Sequence, residues 1–243
     1  VKLIHGHMLQ LAERGVDYIF MPSIHTIKHV KSSVAHNYGC PYMHTAPRLV
    51  TSELGLERRG IKLLSPLLDL DFGQQAIAKE MLNLGAELGR EPREVARAML
   101  AGSFAVKEFT RKTEEAGEQL LTSLAPGECV LVMITRNYGI SDAVLNSGIP
   151  DALIERGQKV ITISHLHAHD LDLKDDYPNM YWPFGQHILS AIKLIRRDPR
   201  LFAVYLTNHG CGPDTMLSHL VAEEMGGKPY LQIEVDEHYS KVG

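Results

Sequence analysis

The chain carries three cysteines in 243 residues. An odd, small number without secretory features argues against a disulfide framework and for a reducing, cytoplasmic setting. No apolar run approaches the roughly 20 residues that would cross a membrane, and no signal peptide opens the sequence. Basic residues never cluster beyond the Arg196-Arg197 pair and a scatter near Arg111, and the net charge is −4, so no nucleic-acid groove is expected. Nor is there a Gly-rich phosphate fingerprint or a P-loop, which argues against ATP hydrolysis and nicotinamide binding by this chain. Internal repeats and low-complexity stretches are missing too. The sequence opens inside a helical pattern (Val1-Lys2-Leu3-Ile4) without an initiator Met, as an excised fragment would.

What is present is a large apolar fraction, 44%, enough for one or two packed units. Ile4, Met8 and Leu11 recur at helical spacing over 3–14 and stop at Gly15. Tyr18-Ile19-Phe20-Met21 reads as a short buried strand, 23–47 as irregular, 49–51 as a candidate strand and 61–64 as a strand. Ile77, Met81, Leu84 and Leu88 give one helix. After Pro92, which suits a helix start, Val95, Met99, Val106 and Phe109 give another that runs to about 124. The second half alternates regularly: strands at 130–134, 160–163, 202–206 and 230–235, separated by helices at 149–156, around 188–195 and around 217–221. Strand and helix in strict alternation predict a parallel sheet with right-handed crossovers. The expected fold is α/β, two Rossmann-like lobes with parallel sheets: a partial lobe over 1–90, a bridging helix over 91–125 and an α/β lobe over 126–243, the first lobe incomplete in this fragment.

Ligands of open parallel sheets gather at the carboxyl ends of strands. The most informative end is Thr207-Asn208-His209-Gly210-Cys211-Gly212-Pro213-Asp214, which leads into a helix. Free amides and the helix dipole there favour a thiolate. An iron–sulfur cluster needs thiolates, and N–H donors to its sulfurs tune its potential. Gly210 and Gly212 allow backbone to approach a bulky group. Asn208, His209, Gly210, Gly212 and Asp214 are therefore candidate cofactor-binding residues, and Cys211 a candidate metal ligand. A tight strand-to-helix turn that happens to hold a cysteine has the same spacing. Cys40, in His36-Asn37-Tyr38-Gly39-Cys40-Pro41-Tyr42, is the second candidate ligand, since proline stiffens its loop and removes a competing donor. Cys129, at the start of a buried strand, reads as a small core or edge residue.

Three other places compete. In Ser164-His165-Leu166-His167-Ala168-His169-Asp170, alternate histidines on extended backbone would point to one side, as a zinc-dependent hydrolase requires. His5 and His7 lie two apart on a helix and diverge. Arg136, in Thr135-Arg136-Asn137-Tyr138-Gly139, follows a strand and can meet an anion, though a surface arginine is the default.

Several stretches together resemble the domain found beside, or fused to, ATP-dependent activases of 2-hydroxyacyl-CoA dehydratases, a family related to the dehydratase subunits and to double-cubane-cluster reductases. They are Val1-Lys2-Leu3-Ile4-His5-Gly6-His7, Gly15-Val16-Asp17-Tyr18-Ile19-Phe20, Cys40-Pro41, Arg136-Asn137-Tyr138 and 146–150. Further on come Met180-Tyr181-Trp182 with Gly185-Gln186, Cys211-Gly212-Pro213-Asp214 and Glu234-Val235-Asp236-Glu237-His238. The resemblance implies an iron–sulfur redox module with three cysteine ligands per subunit. Of these, Cys40 and Cys211 match two, and the third is expected upstream of Val1, so the cluster is expected to be lost from the isolated fragment. It also implies a partner activase that hydrolyses ATP and delivers low-potential electrons, a CoA thioester or small-molecule substrate, and a homodimer. The alternatives are a non-catalytic scaffold or regulatory domain of the activase, and the zinc hydrolase. Neither a membrane nor a nucleic acid is an expected partner.

Overall fold

The computed structural model describes residues 2–27 and 31–236. Val1, Glu237 and His238, which contribute to the resemblance, lie outside the described residues. The described chain divides into two compact units, one of 2–27, 35–105 and 181–183, the other of 31–34, 106–180 and 184–236.

The first unit opens with helix α1 (Lys2–Glu13), then strands β1 (Tyr18–Phe20) and β2 (Ser23–Thr26), helix α2 (Pro41–Leu54), strands β3 (Lys62–Leu64) and β4 (Leu67–Asp69), and helix α3 (Gln74–Glu87). The turn after α1 is closed by Gly15, whose φ of 72° suits a residue without Cβ. β1 pairs with β3 and β2 with β4, both in parallel. Met8 of α1, Ile19 of β1, Val50 of α2, Leu56 and Ile61 form a buried cluster, with Ile4 and Ala12 packed on it. Each such side chain contributes about 1.5–3 kcal/mol by leaving water.

Helix α4 (Pro92–Thr122) is 31 residues long, about 46 Å at 1.5 Å per residue. Its residues to 105 belong to the first unit and those from 106 to the second.

The second unit continues with β5 (Val130–Ile134), α5 (Asn137–Ser141), α6 (Ile149–Glu155), β6 (Val160–Thr162), α7 (Pro183–Arg197), β7 (Leu201–Asn208), α8 (Gly212–Met225) and β8 (Leu231–Val235). The strands form one parallel sheet in the order β6-β5-β7-β8. The chain leaves β5 for β6 on one side and returns past it to β7 and β8 on the other. Right-handed crossovers then put α6 on one face of the sheet and α7 and α8 on the opposite face. Met133, Val204 and Leu206 accordingly pack with Ile149 and Leu153 of α6. Val132, Ile134, Ala203 and Tyr205 alternate to the other face and are fully buried, as are Leu189 and Ile192 of α7 and Leu217 and Val221 of α8.

The α/β class and the parallel pairing agree with the expectation from the sequence. Several local readings change. The candidate strand at 49–51 is the last part of α2. Its β-branched Val50 and Thr51 suggest a strand, but Ala46 and Val50 are buried four residues apart on one helical face. The stretch 23–47, read as irregular, contains β2 and the start of α2. β1 is not a buried strand: only Ile19 is covered, and Tyr18 and Phe20 are exposed.

Among the described residues no helix is long and apolar enough to cross a membrane.

Candidate functional site

In the second unit the sheet order reverses between β5 and β7, so the segments leaving these two strands part to opposite faces and open a crevice at their carboxyl ends. Two short segments meet there. Thr135 and Arg136 follow β5, and Arg136 caps α5. His209, Gly210 and Cys211 follow β7, and Cys211 caps α8. Gly210 turns the chain at φ 67°, in the left-handed region that a side chain disfavours.

Cys211 takes the N-cap position without using its side chain to cap the helix. Its sulfur instead accepts a hydrogen bond from Nη1 of Arg136 at 3.4 Å. The other terminal nitrogen, Nη2, donates to Oδ2 of Asp214 at 2.5 Å, with both side chains almost fully covered. Oδ2 also accepts from the backbone N–H of Asn208 at 2.8 Å and from its Nδ2 at 3.2 Å. Asp214, in the first turn of α8 and 2% exposed, thus ties the end of β7 to the start of the helix while holding the guanidinium. An acid in that turn also complements the helix dipole. Burial pulls the Arg136 guanidinium down, but Tyr138, Asp214 and Cys211 more than reverse this and keep it above its ordinary value. Its carbon lies 5.4 Å from the centre of the Tyr138 ring, which meets Phe184 edge-on.

Beneath these groups Tyr205 of β7 is fully buried, and its hydroxyl has no hydrogen-bond partner. Burial pushes this phenol up, and the carboxylate of Asp214 adds to the effect. On the outer side, His209 is exposed and pairs with Glu234 of β8. A Cβ on Gly210 or Gly212 would meet nothing within 4 Å, so both glycines that flank the half-buried cysteine border open space. A sulfur at a helix N-terminus, met by a cation and facing open space, is chemically suited to act as a thiolate toward a soft metal or an electrophile. As a single ligand to an iron–sulfur cluster it fits: the sulfur is accessible, and an N–H donor of the kind that tunes such clusters is already on it.

Cys40 repeats the local pattern in the first unit. It caps α2, again without a side-chain capping bond, after a glycine and before a proline. Gly39 is required by close approach: a Cβ there would lie 3.1 Å from the carbonyl oxygen of Ile24 and 3.3 Å from that of His25. Its N–H donates to His25 O at 2.7 Å, which ties the residue before the cysteine to β2. His44, one turn into α2, holds the same carbonyl through Nε2 at 3.0 Å and stacks near His25, centroids 4.5 Å apart. Cys129 is exposed just before β5.

The histidine run differs from its sequence reading. Its backbone is not extended: Ile163–His165 and Ala168–Asp170 are short 3-10 turns. His165 accepts from the Thr162 N–H at 3.2 Å, His167 Nε2 pairs with Glu118 at 2.8 Å, and His169 stacks on His187 at 3.9 Å. The three rings therefore go to separate partners, which removes the shared face on which a zinc hydrolase depended. Among the described residues no group of three or more His, Cys, Asp or Glu is placed to hold a metal ion.

Of the sequence candidates, Asn208, His209, Gly210, Cys211, Gly212 and Asp214 lie in this one crevice. Arg136 corrects the surface default, being 9% exposed and ion-paired. Tyr205 was not singled out in the sequence at all; a hydroxyl-bearing side chain inside the apolar run 201–206 was the available signal.

The model of one protein family, the CoA enzyme activase uncharacterised domain (DUF2229), matches residues 1–166. The matched segment includes Cys40 and Arg136 and ends before Cys211 and Asp214. Comparisons with curated proteins and with solved structures gave no match.

Proposed function

The chain belongs to the CoA enzyme activase uncharacterised domain family, and from that premise we propose that it is an iron–sulfur redox module of a 2-hydroxyacyl-CoA dehydratase-type or double-cubane-type reductase. It takes low-potential electrons from an ATP-dependent activase and passes them to a CoA thioester or small-molecule substrate. Cys40 and Cys211 are the thiolates this chain contributes. The observation that carries the reading is that each cysteine stands at the N-cap of a 14-residue helix with its sulfur unused for capping. That of Cys211 is already met by a guanidinium. A cluster, when bound, supplies a one-electron carrier whose potential depends on ligands, charge and hydrogen bonds. The residues of the chain do the rest. The first-turn amides of α8 and the Arg136 guanidinium offset negative charge at the sulfur, Asp214 keeps Arg136 in place, and Gly210 and Gly212 leave room beside it.

A second reading, a scaffold or regulatory domain of the activase without a redox centre, draws support from the missing group of three ligands among the described residues. Iron, acid-labile sulfide and zinc measured on the full-length protein, purified without oxygen, separate the two. The redox reading expects iron and sulfide in near-equal amounts, lost in Cys40→Ala and in Cys211→Ala and kept in Cys129→Ala. Protein that contains neither and resists reconstitution would overturn it in favour of the scaffold.

A further inference from the structure

Arg136 divides its fork between two acceptors of different kinds, a carboxylate at 2.5 Å and a sulfur at 3.4 Å. Stability alone asks only for the first. The carboxylate is itself fixed by two donors from Asn208, so it determines where the guanidinium lies rather than merely neutralising it. Tyr205 adds an independent sign that the crevice is built around something besides this ion pair. Its hydroxyl is fully buried and unpartnered in the strand that leads to Cys211. Leaving such a group unpaired is costly, a strain of the kind retained at working sites.

We propose that Asp214 is a positioning residue that aims Arg136 at the Cys211 sulfur, and that the balance of these two charges sets the reactivity of that sulfur and the potential of any iron it ligates. The part concerning iron rests on the redox reading above; the part concerning the thiol does not. The guanidinium touches the sulfur, and the carboxylate bonded to its other nitrogen offsets part of its charge there. Removing the cation leaves the anion, whereas Asp214→Asn removes the anion but keeps a side-chain oxygen that holds the guanidinium at the sulfur. The two losses must therefore act on the sulfur in opposite directions, whereas a purely structural pair would damage the site in the same direction whichever member is lost.

The test uses Arg136→Gln, Asp214→Asn and the double variant, each in the full-length protein with every cysteine but Cys211 replaced by alanine so that alkylation by iodoacetamide reports Cys211. In metal-free protein at one fixed pH, Arg136→Gln is expected to slow alkylation about tenfold and Asp214→Asn to speed it by a similar factor, a modest fraction of what a full charge at contact distance delivers. The double variant, neutral like the wild-type pair, returns to within about threefold of it. Where Arg136→Gln does not fold, Arg136→Lys is read instead; it keeps the charge but cannot reach both acceptors and is expected to slow the reaction as well. The same substitutions in reconstituted protein with all the other cysteines restored should move the midpoint potential down, up and back, by about 59 mV for a tenfold change in a one-electron couple. Single variants that change alkylation in the same direction, or not at all, overturn the proposal. If no preparation takes up iron but the opposite alkylation effects appear, the redox reading fails and the positioning role stands. Iron and sulfide bound with neither rate nor potential altered would mean the reverse.

Discussion

Helix α4 contains two glycines whose replacement by alanine should move stability in opposite directions. Alanine is favoured over glycine inside a helix by about 1 kcal/mol, so propensity alone predicts a gain at both. Gly102 meets nothing within 4 Å of an added Cβ, and Gly102→Ala should realise that gain. At Gly117 the same Cβ would lie 2.1 Å from the carbonyl oxygen of His165, 2.9 Å from its Cβ and 3.0 Å from its carbonyl carbon. Ordinary contact between non-bonded heavy atoms is about 3.5 Å, so the overlap exceeds 1 Å or so, and two of the three atoms are backbone that cannot swing aside. Overpacking of this kind costs about 1–3 kcal/mol, and the backbone contact puts Gly117 at the upper end. After the propensity gain, Gly117→Ala is left about 2 kcal/mol less stable than the parent. At about 2–4 °C per kcal/mol for a chain of this size, its melting midpoint should fall by about 4–8 °C while that of Gly102→Ala rises by about 2–4 °C. Thermal unfolding of both variants followed by far-UV circular dichroism, in one buffer, reads the signs directly. A rise for Gly117→Ala comparable to that of Gly102→Ala would refute the close packing of α4 on the 163–165 turn.

Two further outcomes follow from buried polar groups. Burial lowers the pKa of His165 and of His169, more than the Thr162 backbone bond and the Asp170 charge respectively raise them. Both are therefore neutral in the fold at a pH where the unfolded chain, near about 6.5, already binds protons. Their contribution is complete above that value and is lost as pH falls through it toward the folded pKa; wild type should lose more urea resistance between about pH 7.5 and about pH 5.5 than His169→Gln, and equal losses would contradict the assignment. Tyr205→Phe deletes a hydroxyl that has no partner and keeps the ring, so stability measured by urea unfolding should be unchanged or rise by about 1 kcal/mol; a loss larger than that would mean the hydroxyl is bonded in the folded protein.

The second unit was far more legible in the sequence than the first, for a physical reason. β5 and β7 are covered on both faces, so they appear as unbroken apolar runs, 130–134 and 201–206. The helices between them end at glycines or basic residues, as at Gly226 and Arg196-Arg197. In the first unit the strands are three or four residues long and half covered. Ser23–Thr26 contains one apolar residue and no alternation, which leaves periodicity nothing to detect. α2 is hidden differently. Pro47 sits in its interior, where proline usually ends a helix, and Val50 and Thr51 in the turn after it are β-branched. Burial of Ala46, Pro47 and Val50 on the core outweighs both local preferences.

The site was legible one strand end at a time but not as an assembly. Each carboxyl end stood out for its own residues: histidines after β6, an arginine after β5, Gly-Cys-Gly after β7. Which ends adjoin depends on strand order, and strand order leaves no trace in hydrophobic spacing. Arg136 and Asp214 are 78 positions apart, and nothing local links them. Once β5 and β7 are neighbours in register, Ile134 beside Tyr205, the residues that follow them must share one crevice. β6, paired only to β5 at the sheet edge, delivers its histidines outside the place where the order reverses. The same rule that made every strand end a candidate therefore ranks them once the order is known. The cysteine flanked by glycines gains a buried cation and its carboxylate, and the histidines, richer in ligand atoms, are divided among separate partners.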